Sequence, residues 1–161
     1  MPAVRSEFVE VVVFRRGSAG PEYLILQRAR DERVYPNLWQ FVTGRIEHGE
    51  TAVEAAQREL QEETELTPVR FWNVPFIASF YNAQSDAVYL NPLFAAEVNA
   101  TAEPRMSSEH QGYTWLHAAD ASERLVWPNN RDALSVIHGN IVAGKMVAGL
   151  MELQLKERNH R

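Results

Sequence analysis

The sequence contains no cysteine. That excludes a disulfide framework and a thiolate metal site, and it fits a reducing compartment. Long apolar runs are missing too. The N-terminal stretch MPAVRSEFVEVVVF has no signal-peptide core and carries Glu7 and Glu10. The most apolar later stretch, IVAGKMVAGLM, is too short to span a bilayer and holds Lys145. Positive charge is scarce: 16 Lys and Arg stand against 21 Asp and Glu, a net charge of -5. A protein that binds nucleic acid by neutralising phosphates is usually basic, so nucleic acid is not the expected partner. No repeat, low-complexity tract or linker interrupts the chain. A single domain over residues 1–161 is expected, soluble and cytoplasmic, with no membrane contact.

What the chain does have is an ordered succession of strand and helix signals. EFVEVVVFRR (7–16) and YLILQRA (23–29) read as strands across a GSAGPE turn, and WQFVTG (39–44) as a short third strand. Thr51 stands three residues before Glu54, a capping-box pattern that opens a helix over about 52–64, with Pro68 beyond it. Residues 69–82 and 87–99 read as two long strands, bent or at an edge because of Pro75 and Pro92. SSEHQGYTWL passes from loop to strand, AADASERL reads as a short helix, and residues 129–158 as one long C-terminal helix that Gly139, Gly144 and Gly149 weaken. The order is that of a mixed sheet with helices against it, an α/β class.

GRIEHGETAVEAAQRELQEETEL (44–66) holds seven glutamates, and like charges three or four apart on a helix repel. At roughly 100° per residue, Glu59, Glu62 and Glu63 fall within one arc of about 100°. Leu60 and Val53 project toward another side, suited to a core. Ala52, Ala55 and Ala56 lie on or beside the acidic side, where small side chains would leave room. Three such carboxylates cannot all stay ionised cheaply: a pKa rises or cations move in. Hard oxygen ligands of this kind suit Mg²⁺, with Mn²⁺ as an alternative. A lone acidic run is more often a solvated face, so the spacing around it matters.

Gly44, then five residues, Glu50, then seven residues, then Arg58-Glu59-Leu60, Glu62-Glu63 and Leu66, resembles the Nudix box. Glu65 stands where that pattern has glycine. Six fixed residues at fixed spacing arise by chance on the order of once in 10⁵ chains of this length. The resemblance implies a Nudix-type α/β/α sandwich with the box helix on one face of a mixed sheet and the C-terminal helix on the other. It further implies a hydrolase of nucleoside diphosphates linked to another group. Glu59, Glu62 and Glu63 would hold divalent cations, with the Gly44 carbonyl as a further ligand and Arg58 orienting Glu50 or Glu59. The missing glycine would bear on the left-handed turn after the helix rather than on the metal site.

LWQFVTGRIEHGET, SSEHQGYTWL and WPNNRDAL are similar to bacterial dihydroneopterin triphosphate pyrophosphatases and related (deoxy)nucleoside triphosphate pyrophosphohydrolases. That implies cleavage of a nucleoside or pterin triphosphate to monophosphate and pyrophosphate. Dinucleoside polyphosphates, ADP-ribose, and a non-catalytic sensor role stay open as alternatives. Glu109 is then a further acid, as a metal ligand or as the base that takes a proton from water, a role for which Glu62 and Glu63 compete. His48, His110, His117, His138 and His160 show no ligand spacing. Arg28 and Arg45 are candidates for the phosphates. Trp39, Phe41 and Tyr81 are candidates for stacking on a base or pterin, although each aromatic has core packing as its commoner role. Asn130 and Arg131 are read as helix caps, with a substrate contact left open by the resemblance. A homodimer through the C-terminal segment is left open.

Overall fold

The structure is a computed structural model that describes residues 1–155. The expected helix over 156–158 and His160 lie outside the described residues. The strands are β1 (Ala3–Arg5), β2 (Phe8–Gly17), β3 (Gly20–Arg28), β4 (Trp39–Gln40), β5 (Val42–Arg45), β6 (Arg70–Asn82), β7 (Ala87–Val98), β8 (His110–Leu116) and β9 (Glu152–Leu153). The helices are α1 (Ala52–Thr64), α2 (Ala118–Arg124), α3 (Pro128–Val136) and α4 (Met146–Met151), with a π-helical turn at Ile137–Val142 after α3.

The sheet order is β4-β3-β2-β7-β6-β9, with β5 on β2, β8 on β3 and β1 on β7. β7 runs parallel to β2 and β1, and every other pairing is antiparallel, so the sheet is mixed. β2 lies at its centre and is covered on both sides. Val9, Val11 and Val13 pack with Ala55, Ala56 and Leu60 of α1, whereas Val12 and Phe14 pack with Leu134, Ile137 and Ile141 beyond the other face. Burial on both faces is why this strand reads as a continuous run of valines rather than an alternation. One layer of helix therefore lies on each side of the sheet, and truncating a side chain such as Leu60 to Ala would cost about 2–5 kcal/mol. No helix among the described residues is long and apolar enough to cross a membrane.

Three expectations need correction. The Trp39–Gly44 segment is two short strands broken at Phe41, one on β3 and the other on β2. The C-terminal helix is not continuous. α3 passes into the π-helical turn, Gly144 takes φ +68, and the chain restarts as the six-residue α4 before β9 pairs with β6. Glycine is conformationally cheap there and costly inside a helix, so the segment breaks where the buried Ile141 and Val142 must meet the sheet. Nor do Asn130 and Arg131 cap α3: Trp127 is its N-cap and Pro128 its first residue. Asn130 instead donates to Glu10, and Arg131 to the carbonyls of Leu125 and Val126. The two long strands do bend at their prolines. The β6–β7 register shifts between Val74 and Ile77, and Pro92 lies opposite Ile77 at that irregularity.

Candidate active site

The site grows from the way α1 lies on β5. Thr51 caps α1 and closes a reciprocal capping box with Glu54. Ala55 and Ala56 are fully buried, so the alanines serve close approach of helix to sheet rather than open room above the glutamates. Gly44 completes that approach. A Cβ there would collide with the Glu59 carboxyl, which leaves glycine as the residue that fits. The closeness has a chemical consequence: Glu63, one turn beyond Glu59, is pressed between helix and sheet and is only 3% exposed.

Arg58 gathers the acids nearer the start of the helix. Its Nε and Nη2 donate to the two carboxylate oxygens of Glu50 at 2.8 and 2.9 Å. Nη1 donates to Glu59 at 2.8 Å and to Glu62 at 3.1 Å, and Nη2 also reaches the Arg45 carbonyl at 2.8 Å. This forked, bidentate grip is specific to guanidinium. It pulls the Glu50 carboxyl down to about 2, through hydrogen bonds from Arg58 and a backbone amide. Glu59 moves the other way: desolvation raises it in spite of Arg58.

Glu63 has no such partner. Burial first, then the nearby charges of Glu59 and Glu109, push its carboxyl up to about 9; a backbone amide from Thr43 only partly offsets this. Its Oε2 is buried with no hydrogen-bond partner. Glu109 arrives from the loop before β8 and its carboxyl faces Glu63 within hydrogen-bonding reach. His110, next to it, is buried. Desolvation and the Arg28 charge lower it to about 4, so it stays neutral at pH 7.

The structure thus brings Gly44, Glu59, Glu63 and Glu109 together, with Arg58 and Glu62 at the rim. Among the described residues, no three acidic or histidine side chains converge tightly enough to hold a metal ion as placed. Arg58 holds Glu59 and Glu62 to its own nitrogens. Of the expected substrate contacts, Phe41 is corrected: it is fully buried in the core on the α3 side and cannot stack on a ligand. Arg28 ties its own loop, donating to the Val34 carbonyl at 2.9 Å and to Glu32 at 3.2 Å. Trp39 is partly buried against the same core, with the Arg124 guanidinium over its ring at 4.8 Å. Tyr81 is exposed near the β6–β7 turn and donates to Asp86. Arg45 is exposed beside Gly44, over the Phe8 ring and near Glu7.

A family model described as the NUDIX domain matches residues 7–137. The chain belongs to the Nudix family. As a Nudix hydrolase it is 30% identical over 105 residues to the nucleoside triphosphatase NudI of Escherichia coli O139:H28, covering 61% of this chain and 74% of that one. It is 35% identical over 141 residues to an octanoyltransferase of Myxococcus xanthus, of which the match spans only 36% of the length. The structure of the E. coli dihydroneopterin triphosphate pyrophosphohydrolase superposes with a TM-score of 0.66 at 28% identity, covering 84% of this chain and 95% of that one.

Nudix hydrolases generally use divalent metals, and the donors here fit one. They are hard carboxylate oxygens, and one of them, the Glu63 Oε2, is buried and orphaned. An orphaned buried oxygen of this kind is costly unless something fills its place.

Proposed function

We propose that the chain is a divalent-metal-dependent pyrophosphohydrolase that cleaves a nucleoside or pterin triphosphate to the monophosphate and pyrophosphate. The observation that carries the reading is the buried carboxyl of Glu63, with no counter-charge and its Oε2 unpartnered, beside Glu59 and Glu109. Glu59, Glu62, Glu63 and Glu109, with the Gly44 carbonyl, would hold Mg²⁺ or Mn²⁺. When bound, such a cation neutralises phosphate oxygens and lowers the pKa of water.

The protein's own groups do the rest. Arg58 fixes Glu50 and Glu59 relative to the helix, so the carboxylates are placed before substrate arrives. Glu109, an exposed side chain on a loop, would accept the proton of the attacking water. Arg45 is exposed where a phosphate chain crossing Gly44 would meet it. The names of NudI and of the dihydroneopterin triphosphate enzyme support a triphosphate as substrate class.

A panel of nucleoside triphosphates, a pterin triphosphate, a dinucleoside polyphosphate and ADP-ribose, run with Mg²⁺ and separately with Mn²⁺, tests this. Pyrophosphate released from triphosphates is expected. Paired mononucleotides from the dinucleotide as the principal product would overturn the substrate class. Tight nucleotide binding without any product would overturn catalysis.

A further inference from the structure

The loop that delivers Glu109 is fastened far from it. Glu103, the fifth residue of the loop, accepts three kinds of donor at one exposed carboxylate. Arg15 Nη1 of β2 donates to its Oε1 at 2.8 Å, and Tyr113 Oη and Trp115 Nε1 of β8 each donate to its Oε2 at 3.1 Å. Arg15 is itself held at both ends. It donates to Glu22 at 2.8 Å and to the Ala102 carbonyl at 2.9 Å, and its guanidinium lies 4.1 Å from the centre of the Trp115 ring. Pro104 follows and is buried. The chain then runs along the end of α1, where the amides of Arg105 and Ser107 donate to the carbonyls of Thr64 and Glu63 at 2.8 and 3.2 Å. These are last-turn carbonyls that the helix itself leaves open. Two residues later the Glu109 carbonyl accepts from the Ala29 amide at 2.9 Å.

We infer that the Arg15–Glu103 clamp is a positioning device: it sets the loop against the C-terminal turn of α1 and so fixes Glu109 opposite Glu63. Glu103 is a positioning residue and acts through Glu109. An ion pair as exposed as this one adds little to global stability. Its worth lies in geometry, since small misplacement of a reacting group costs large factors in rate. The inference rests on the reading of Glu109 as a working carboxylate.

The test uses Glu103→Ala, Glu103→Gln, Glu109→Gln and the Glu103→Ala/Glu109→Gln double variant, assayed with Mg²⁺ and the best triphosphate, with amide hydrogen exchange as a second readout. Glu103→Ala should lower kcat by about 10- to 100-fold with little change in KM, and should lose exchange protection at Arg105 and Ser107. Glu103→Gln, whose single amide oxygen can serve only one side of the clamp, should fall between. In the Glu109→Gln background Glu103→Ala should bring no further loss. An equal loss in both backgrounds overturns the inference, because the clamp then acts on the fold at large. Unchanged kcat and protection in Glu103→Ala overturns it directly. Glu109→Gln at the wild-type rate overturns it through its premise, and with it the catalytic role of Glu109 proposed above.

Discussion

Within about one turn of α1 lie two kinds of glutamate. Glu59 and Glu62, with Glu50 from the preceding loop, share the guanidinium of Arg58. Glu63 has the same side chain on the same helix, yet it is buried against β5 with one oxygen unpartnered. The first group has its counter-charge built in, while the second, in the metal-free protein, keeps its proton instead. The difference shows that the acidic run is not one surface but a paired cluster and an unpaired one, and that the unpaired one is where a cation would gain most.

The largest expected effect comes from removing the unpaired carboxylate. Glu63→Gln should lower kcat by on the order of 10³-fold, the loss of several kcal/mol of charge stabilisation. Its metal-free melting temperature should not fall, because a neutral amide suits that buried place. Wild-type turnover with Mg²⁺ would erase the distinction drawn between the two groups.

Arg58→Ala attacks the paired group. It strands Glu50 and Glu59 and should destabilise by about 2–3 kcal/mol, below the range for a fully buried pair because the pair is partly exposed. Chemical denaturation would measure it, and a loss under about 0.5 kcal/mol would mean the fork is ornamental.

The two groups should also answer pH in opposite senses. Glu63 titrates at about 9 when folded and at 4.5 when unfolded, so folding takes up a proton across that interval. Its contribution is complete below pH 4.5 and fades as pH rises toward 9. Glu50, at about 2 when folded, contributes above pH 4.5 and loses that contribution as pH falls toward 2. Metal-free melting temperature should therefore decline between pH 7 and 9, and Mg²⁺ should raise it and flatten the decline by binding only the folded site. A flat metal-free profile over that range would contradict the buried, protonated Glu63.

The smallest effect lies just past both groups. Glu65 closes α1 at φ 55, a left-handed conformation unfavourable for a residue with a Cβ. The turn keeps the shape a glycine would give it. Glu65→Gly should stabilise by about 0.5–1 kcal/mol, net of the freedom glycine adds to the unfolded chain, with no change in kcat. Destabilisation would show that the Glu65 side chain holds something the backbone does not.

The bounds and capping box of α1 and the irregularity at Pro75 and Pro92 were legible in the sequence, because each rests on local chemistry: a cap, a periodicity, a missing amide. The resemblance implied that Arg58 orients Glu50 or Glu59, and the structure has it holding both. The burial of Phe41 was not legible, since a short aromatic segment looks the same facing a ligand or a core. The break at Gly144 was only half visible: the glycines were apparent as weak points, but the place of rupture depends on what Ile141 and Val142 pack against. Glu103 carried no signal at all. It is one acid in a loop, and its partners come from β2 and β8, which only folding brings near it.

The sequence by itself determined that this is a Nudix chain with a capped acidic helix, because fixed spacing on a helix dictates which side chains share a face. Only the tertiary structure decided which of those acids would be charged. Spacing places groups relative to one another, but a carboxyl's proton depends on how much water and counter-charge surround it. That is settled by how closely α1 lies on Gly44 and by the loop laid across its end.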